Sequence, residues 1–182
     1  MRACALWLYD DGGTVQRVQH ALKFKGRPSL GVPLGRLLGA AVAEALPSWR
    51  AEAVAAVPLS SVRELERGYN QSDGLAAGCA AHLGARVARP LARTRATRQQ
   101  ARLSSAQRRE NVSGAFALTT PWRQRPAAVP REAGAPAAGP LAGVRILLVD
   151  DVLTTGATLL AAAAPLREAG AEVAVAALAF AP

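Results

Sequence analysis

Apolar and polar positions along the 182-residue chain follow two different periods. From residue 30 to residue 46 the apolar side chains fall at Leu30, Leu34, Leu37, Leu38, Ala41, Val42 and Ala45. That spacing is close to 3.6 residues and predicts a helix over 30–46, stopped by Pro47 and Ser48. Residues 14–25 and 71–83 also read as helices, the second ending at Gly84. Short unbroken apolar runs are a separate signal. Ala53–Leu59 and Val144–Val149 do not alternate, as expected of strands buried on both faces of a parallel sheet. Val112–Leu118 and Val173–Leu178 are two further predicted strands, and Thr155–Ala169 is a helix closed by Gly170. Strand, helix and strand at the C-terminal end make a βαβ unit, so the expected class is α/β with a mainly parallel sheet flanked by helices. Residues 119–143 hold five prolines and few large apolar groups, which predicts an irregular surface insertion.

Composition narrows this picture. A chain of this length suits one domain, 1–182, with 1–50 as a helical N-terminal part and 51–182 as the core. Half the residues are apolar and 19% are charged, which excludes a disordered chain. Alanine supplies 42 residues, so the core is thinly aromatic. No stretch offers about 18 uncharged apolar residues, so no membrane span is expected. Met1–Asp11 lacks the order of a signal peptide, and the expected location is the cytoplasm. Cys4 and Cys79 are too far apart in sequence for a CxxC metal site and read as two reduced thiols.

The net charge of +9 is not spread evenly. Arg86, Arg89, Arg93, Arg95, Arg98, Arg102, Arg108 and Arg109 lie in 24 residues without an acid, and account for all but one unit of it. Such a polar segment is either an exposed loop or an attractor of polyanions: nucleic acid, nucleotide or phosphorylated sugar. It contains no aromatic residue, so it gives little support to base stacking.

The chemistry concentrates in Ile146-Leu-Leu-Val-Asp-Asp-Val-Leu-Thr-Thr-Gly-Ala-Thr158. A buried strand ends in two adjacent carboxylates, Asp150 and Asp151, and a short hydroxylated loop leads into a helix. In open α/β sheets ligands bind beyond the carboxyl ends of the strands. The backbone N–H groups of Thr154, Thr155, Gly156, Ala157 and Thr158, at a helix N-terminus, suit a phosphate. Asp150 and Asp151 beside an anion require hydroxyl donors or a cation, which the vicinal diol of a sugar and a divalent metal supply. The local logic is therefore a phosphorylated sugar. The plainer alternative is that Thr154 caps the helix and the aspartates are solvated strand ends. Neither a Walker A lysine nor a GxGxxG dinucleotide loop is present.

This segment resembles the 5-phosphoribosyl-1-pyrophosphate (PRPP) motif of type I phosphoribosyltransferases. Val57-Pro-Leu-Ser60, Arg63 and Arg67-Gly-Tyr-Asn-Gln71 are similar to the "VPL…RGxNQ" stretch of the ComF group within them. Gln100, Leu103, Arg108, Asn111 and Phe116, and Tyr9, Lys23 and Phe24, continue that similarity. The resemblance implies a phosphoribosyltransferase fold with a small N-terminal hood. It implies that Asp150 and Asp151 engage the ribose hydroxyls and stabilise the ribosyl cation, while residues 154–158 hold the 5′-phosphate. Pyrophosphate then falls to the loop of Pro58, Leu59 and Ser60, with Arg67 the nearest cation to neutralise it; a solvated Arg67 is the alternative. Asn70 and Gln71 are either part of this site or caps of the following helix. Lys23 and Gly26 belong to the hood, and 86–109 is the loop that closes over PRPP.

Further implications are Mg²⁺ bridging the diol and pyrophosphate, with no direct protein ligand, and a nitrogenous acceptor. A link to natural competence and DNA uptake, with single-stranded DNA and a helicase-like partner, and a homodimer are also implied. ComF relatives commonly begin with a four-cysteine zinc module, which two cysteines do not supply, so no zinc is expected. His20 and His82 are the only histidines and read as surface or packing residues, leaving no evident general base. Two functions remain: Mg²⁺-dependent phosphoribosyl transfer, or a non-catalytic protein of the same fold that senses PRPP or nucleotide, or binds DNA.

Overall fold

Five parallel strands form the centre of the molecule, seen in a computed structural model that describes residues 1–24, 27–95, 105–125 and 139–182. The elements in chain order are β1 (Arg2–Leu8), α1 (Thr14–Phe24), a 3₁₀ turn (Pro28–Leu30), α2 (Gly31–Ala45), β2 (Ala53–Ala56), α3 (Ser61–Arg67), α4 (Gln71–Leu83) and β3 (Arg86–Val87). They continue as β4 (Leu91–Arg93), α5 (Ser105–Val112), β5 (Phe116–Leu118), α6 (Thr120–Arg123), β6 (Arg145–Leu153), α7 (Ala157–Glu168) and β7 (Glu172–Phe180). The sheet order is β1-β7-β6-β2-β3, with β6 at its centre, and β4 and β5 form a separate antiparallel pair. The expected α/β class with a mainly parallel sheet is what the chain adopts.

Both faces of β6 are buried because its side chains alternate. Ile146 and Leu148 pack with Leu159, Ala162 and Leu166 of α7, while Leu147 and Val149 pack with Leu75 and Cys79 of α4 and Leu38 and Val42 of α2. The second layer is unusually close. A Cβ on Gly35 would lie 2.2 Å from the Leu75 carbonyl oxygen, and one on Gly78 only 2.0 Å from that of Val32. Glycine is therefore required where α2 and α4 cross, and the alanine-rich composition serves the same close approach elsewhere.

The N-terminal edge of the sheet carries a row of alternating charge. Arg2 pairs with Glu172, Glu172 lies in register with Arg145, and Arg145 reaches Glu52 at 3.6 Å. Arg86 ends the row, 5.6 Å from the centre of the Trp122 ring. Each exposed pair is weak, but the alternation keeps like charges off neighbouring strand ends.

Several boundaries differ from the expectations. Residues 1–50 are not wholly helical, since Arg2–Leu8 form an edge strand of the main sheet. The strand expected at 53–59 stops at Ala56, because Pro58 lacks the N–H that would continue the ladder. Val112 ends α5 rather than starting a strand. The strand of 144–149 runs on to Leu153, through both aspartates. The basic stretch 86–109 is not one solvated loop: it includes β3, β4 and part of α5, and Arg93 is half-buried. Within 119–143, α6 is ordered and Leu141 is fully buried in the core. Gly26, Arg98, Gln100, Arg102 and Leu103, and residues 126–138 of the insertion, lie outside the described residues.

Candidate functional site

The carboxyl ends of β6 and β2 meet the starts of α7 and α3 at one edge of the sheet. There the strand β6 delivers Asp150 and Asp151, and the turn after it delivers residues 154–156. Gly156 has a φ of +74°, a left-handed conformation that glycine adopts without steric cost, and it serves as the N-cap of α7. No side chain caps this helix, so Thr154 is not its cap. Thr154 and Thr155 are exposed, and residues 152–159 surround a dimple of only about 10 Å³. The first N–H groups of α7 are thus presented at the mouth of a shallow, hydroxyl-rimmed hollow, an arrangement that takes an anion.

The acidic pair is held in a different way. Asp151 is 5% exposed, and the buried Gln19 of α1 donates its side-chain N–H to the Asp151 carbonyl at 3.2 Å. One turn further along α1, Lys23 forms an ion pair with the Asp151 carboxylate. Asp150 accepts two bonds at one oxygen, from Ser72 Oγ at 3.1 Å and from the Asp151 N–H at 2.9 Å. Burial pushes the Asp150 carboxyl up to about 7, and the Asp151 charge adds to this; the Asp151 N–H, Lys23 and Ser72 oppose it. Two adjacent carboxylates therefore differ, one inclined to hold a proton and the other paired with a cation.

Helix α1 owes its position to its own cap. The Asp10 carboxylate accepts the N–H groups of Thr14 and Val15, each at 2.8 Å, and of Gln16 at 3.2 Å. At its far end the Tyr69 hydroxyl donates to the Leu22 carbonyl. Asn70 caps α4 by accepting the Ser72 N–H at 3.1 Å, and donates to the Val57 carbonyl at 2.9 Å. The segment 69–72 thereby ties together α1, the loop after β2 and the acid on β6.

Beside this lies a cavity of about 290 Å³ lined by Pro58, Leu59, Asn70, Arg89 and Arg93, among others. Ser60 turns away, its side chain accepting the Arg63 N–H as the cap of α3. Arg67 does not line this cavity; it donates to Gln71 Oε1 at 2.7 Å. Arg93 lies 5.3 Å from the centre of the Phe116 ring. Burial lowers its guanidinium below the ordinary value, the Asp150 charge counteracts this, and Arg63 and Arg95 reinforce it. Arg89 and Arg93 both line the cavity, so positive charge faces it from two guanidiniums, which favours an anionic group. Arg67, the first residue of the "RGxNQ" stretch, was expected here as the nearest cation to the Pro58–Ser60 loop; the small antiparallel pair β4–β5 brings Arg93 in instead. Lys23 was legible only as part of a hood, and Gln19 and Ser72 carried no signal.

Comparison with known proteins turns this geometry into a family. A family model described as "Phosphoribosyl transferase domain" matches residues 74–182, more than half of the chain. The chain belongs to that family. The matched span contains Asp150–Thr158 and Arg93, and begins after Lys23, the Pro58–Ser60 loop and Arg67. None of the curated proteins matches the chain. Among solved structures, one described as the allosteric regulatory enzyme of purine biosynthesis is similar at 23% identity. That match covers 87% of this chain and 29% of the other, with a TM-score of 0.48. In this phosphoribosyl transferase domain no group of three or more His, Cys, Asp or Glu is placed to hold a metal among the described residues. Both cysteines are free thiols, and no described helix is long and apolar enough to cross a membrane.

Proposed function

We propose that the protein is a Mg²⁺-dependent phosphoribosyltransferase that uses PRPP and releases pyrophosphate. The observation that carries this reading is the N-terminus of α7, free of any side-chain cap, reached by the turn 154–156 from strand β6, which carries Asp150-Asp151 near its carboxyl end. The residues from Thr154 to Thr158 bind the 5-phosphate, with the α7 dipole adding to the hydrogen bonds. Asp150 and Asp151 take the ribose 2- and 3-hydroxyls and stabilise positive charge as it develops at C1. The pyrophosphate leaves with the electron pair of the C1–O bond into the cavity between Pro58 and Arg93, where the guanidiniums of Arg89 and Arg93 meet its charge. Mg²⁺, brought in with the substrate near Asp150 and Asp151, would supply charge neutralisation for the departing pyrophosphate. A nitrogen of the acceptor forms the new bond to C1. His20 and His82 are both exposed, and the acceptor's own anion supplies the electron pair.

Within the family, the ComF-like stretches support a place in natural competence. A second reading follows from the exposed Arg86, Arg89 and Arg95: a PRPP or nucleotide sensor of the same fold that also holds DNA. Calorimetric titration with PRPP and Mg²⁺ tests the premise shared by both. Saturable binding that is lost in Asp150→Ala plus Asp151→Ala is expected; no binding, or binding unchanged in the variant, overturns it. Pyrophosphate release over a panel of nitrogenous bases separates enzyme from sensor. Salt-sensitive retention of single-stranded DNA that survives Arg95→Glu, Arg98→Glu and Arg102→Glu would remove the DNA reading.

A further inference from the structure

Four ion pairs form among the described residues, and one differs from the rest. Arg2–Glu172, Arg89–Asp73 and Arg145–Glu52 lie on the rim, with side chains between 39% and 79% exposed. In the pair Lys23–Asp151 the side chains are 22% and 8% exposed. Oδ2 of Asp151 is shut off from solvent, and among the described residues its partner there is the Lys23 ammonium, an ion pair and not an aligned hydrogen bond. The helix that carries Lys23 is fastened on both sides of the site, by Gln19 to the Asp151 carbonyl and by Tyr69 to the Leu22 carbonyl. The ammonium is therefore held at this carboxylate by the fold.

Adjacent carboxylates shielded from solvent repel one another and draw in divalent cations unless a counter-ion is at hand. A sugar diol that engages the Asp151 carboxylate competes with the Lys23 ammonium for it, and Oδ1 of Asp150 already accepts two hydrogen bonds. An ammonium on a flexible four-carbon stem can exchange partners, and a ligand rich in phosphate oxygens offers it new ones. We propose that Lys23 is the resident counter-ion of the acidic pair. It keeps free divalent cations off Asp151 in the unliganded protein, and leaves that carboxylate when the 2,3-diol of a phosphoribosyl ligand takes it over. The exchange step rests on the phosphoribosyl reading above; the counter-ion role does not.

Mn²⁺ alone, titrated into metal-free protein and followed by the paramagnetic resonance of the free ion, tests the counter-ion role without any activity. Lys23→Met is expected to bind Mn²⁺ about tenfold more tightly than the parent, or better. Lys23→Arg should stay near the parent, and adding Asp151→Asn to Lys23→Met should cancel the gain. Equal affinity in the parent and Lys23→Met overturns the proposal, as does a gain that persists in Lys23→Arg. Lys23→Gln carries the same comparison if Lys23→Met does not fold.

The exchange has its own readout, because Lys23 and Lys25 are the only lysines. Reductive methylation with ¹³C labels both, and Lys25→Arg assigns them. Saturating ribose 5-phosphate without metal should move the Lys23 resonance; a resonance that stays put while the ligand binds overturns the exchange. A parent protein that binds no ribose 5-phosphate overturns the phosphoribosyl reading and the exchange with it, while the Mn²⁺ comparison still decides the counter-ion role.

Discussion

The two halves of the site are built on opposite plans. The phosphate loop, 154–158, is contiguous in sequence, exposed at Thr154 and Thr155, and made mainly of backbone donors with no side-chain cap at the start of α7. The acidic pair is also contiguous, but Asp151 is buried and Asp150 partly so, and their state is set by side chains from far along the chain. Gln19 and Lys23 come from α1 and Ser72 from α4, with Asn70 bracing the loop after β2. A backbone anion site needs only a turn and a helix behind it. A buried carboxylate needs compensation from whatever the fold packs against it. The phosphate half should therefore tolerate distant change that the acidic half does not.

The largest expected effect on this contrast comes from the crossing of α2 and α4. Gly78→Ala would place a Cβ 2.0 Å from the Val32 oxygen and 2.8 Å from the Arg36 nitrogen. Neither backbone atom can move freely, so a loss of about 3 kcal/mol is expected in urea denaturation. Because α4 carries Ser72, ribose 5-phosphate affinity should fall more than affinity for inorganic phosphate. Equal losses for both ligands would break the comparison.

Asn70→Ala is next. It removes the cap of α4 and leaves the buried Val57 carbonyl without its donor, for about 2 kcal/mol by the same denaturation. Its effect on binding should again fall on the diol end of the ligand.

The pH dependence sharpens the acidic half alone. The Asp150 carboxyl lies at about 7 in the folded protein, above its value in the unfolded chain. The folded state therefore holds the extra proton, and stability falls as pH rises from about 4 to about 7. Asp150→Asn has no such proton to lose. Its melting temperature should decline less than the parent's over that window, and parallel profiles would contradict the assignment.

The smallest effect belongs to the phosphate half. Gly156→Ala meets open space apart from two leucine methyl groups at 3.5 and 3.9 Å, so only its φ of +74° is strained. A loss of about 1 kcal/mol is expected. Phosphate affinity should weaken with it while the pH profile stays that of the parent.

How much was legible followed the range of the interactions involved. The βαβ unit at the C-terminal end, the helix at 71–83 and the parallel sheet were readable because burial on two faces leaves unbroken apolar runs. The edge strand Arg2–Leu8 was not, since it is half-exposed and lacks that signature. The short elements β3, β4 and α6 are likewise too brief to show a period. Asn70 as a cap was one of two readings its position allowed, and the structure selects it. Arg67 adjoins the right loop in sequence, but it bonds Gln71, while Arg93, 26 positions further on, lines the cavity.

The sequence by itself determined the chemistry at the end of β6: two acids, then a hydroxylated turn with glycine where the backbone goes left-handed. Those features depend on neighbours a few residues apart, whose geometry the chain dictates locally. Only the tertiary structure decided which charges meet those acids. Lys23 arrives because Asp10 starts α1 and Tyr69 holds its end, and Ser72 arrives because glycines let α4 and α2 cross closely. Arg93 arrives because β4 pairs with β5. Compensation of a buried charge is a property of packing, and packing joins residues that no spacing along the chain relates.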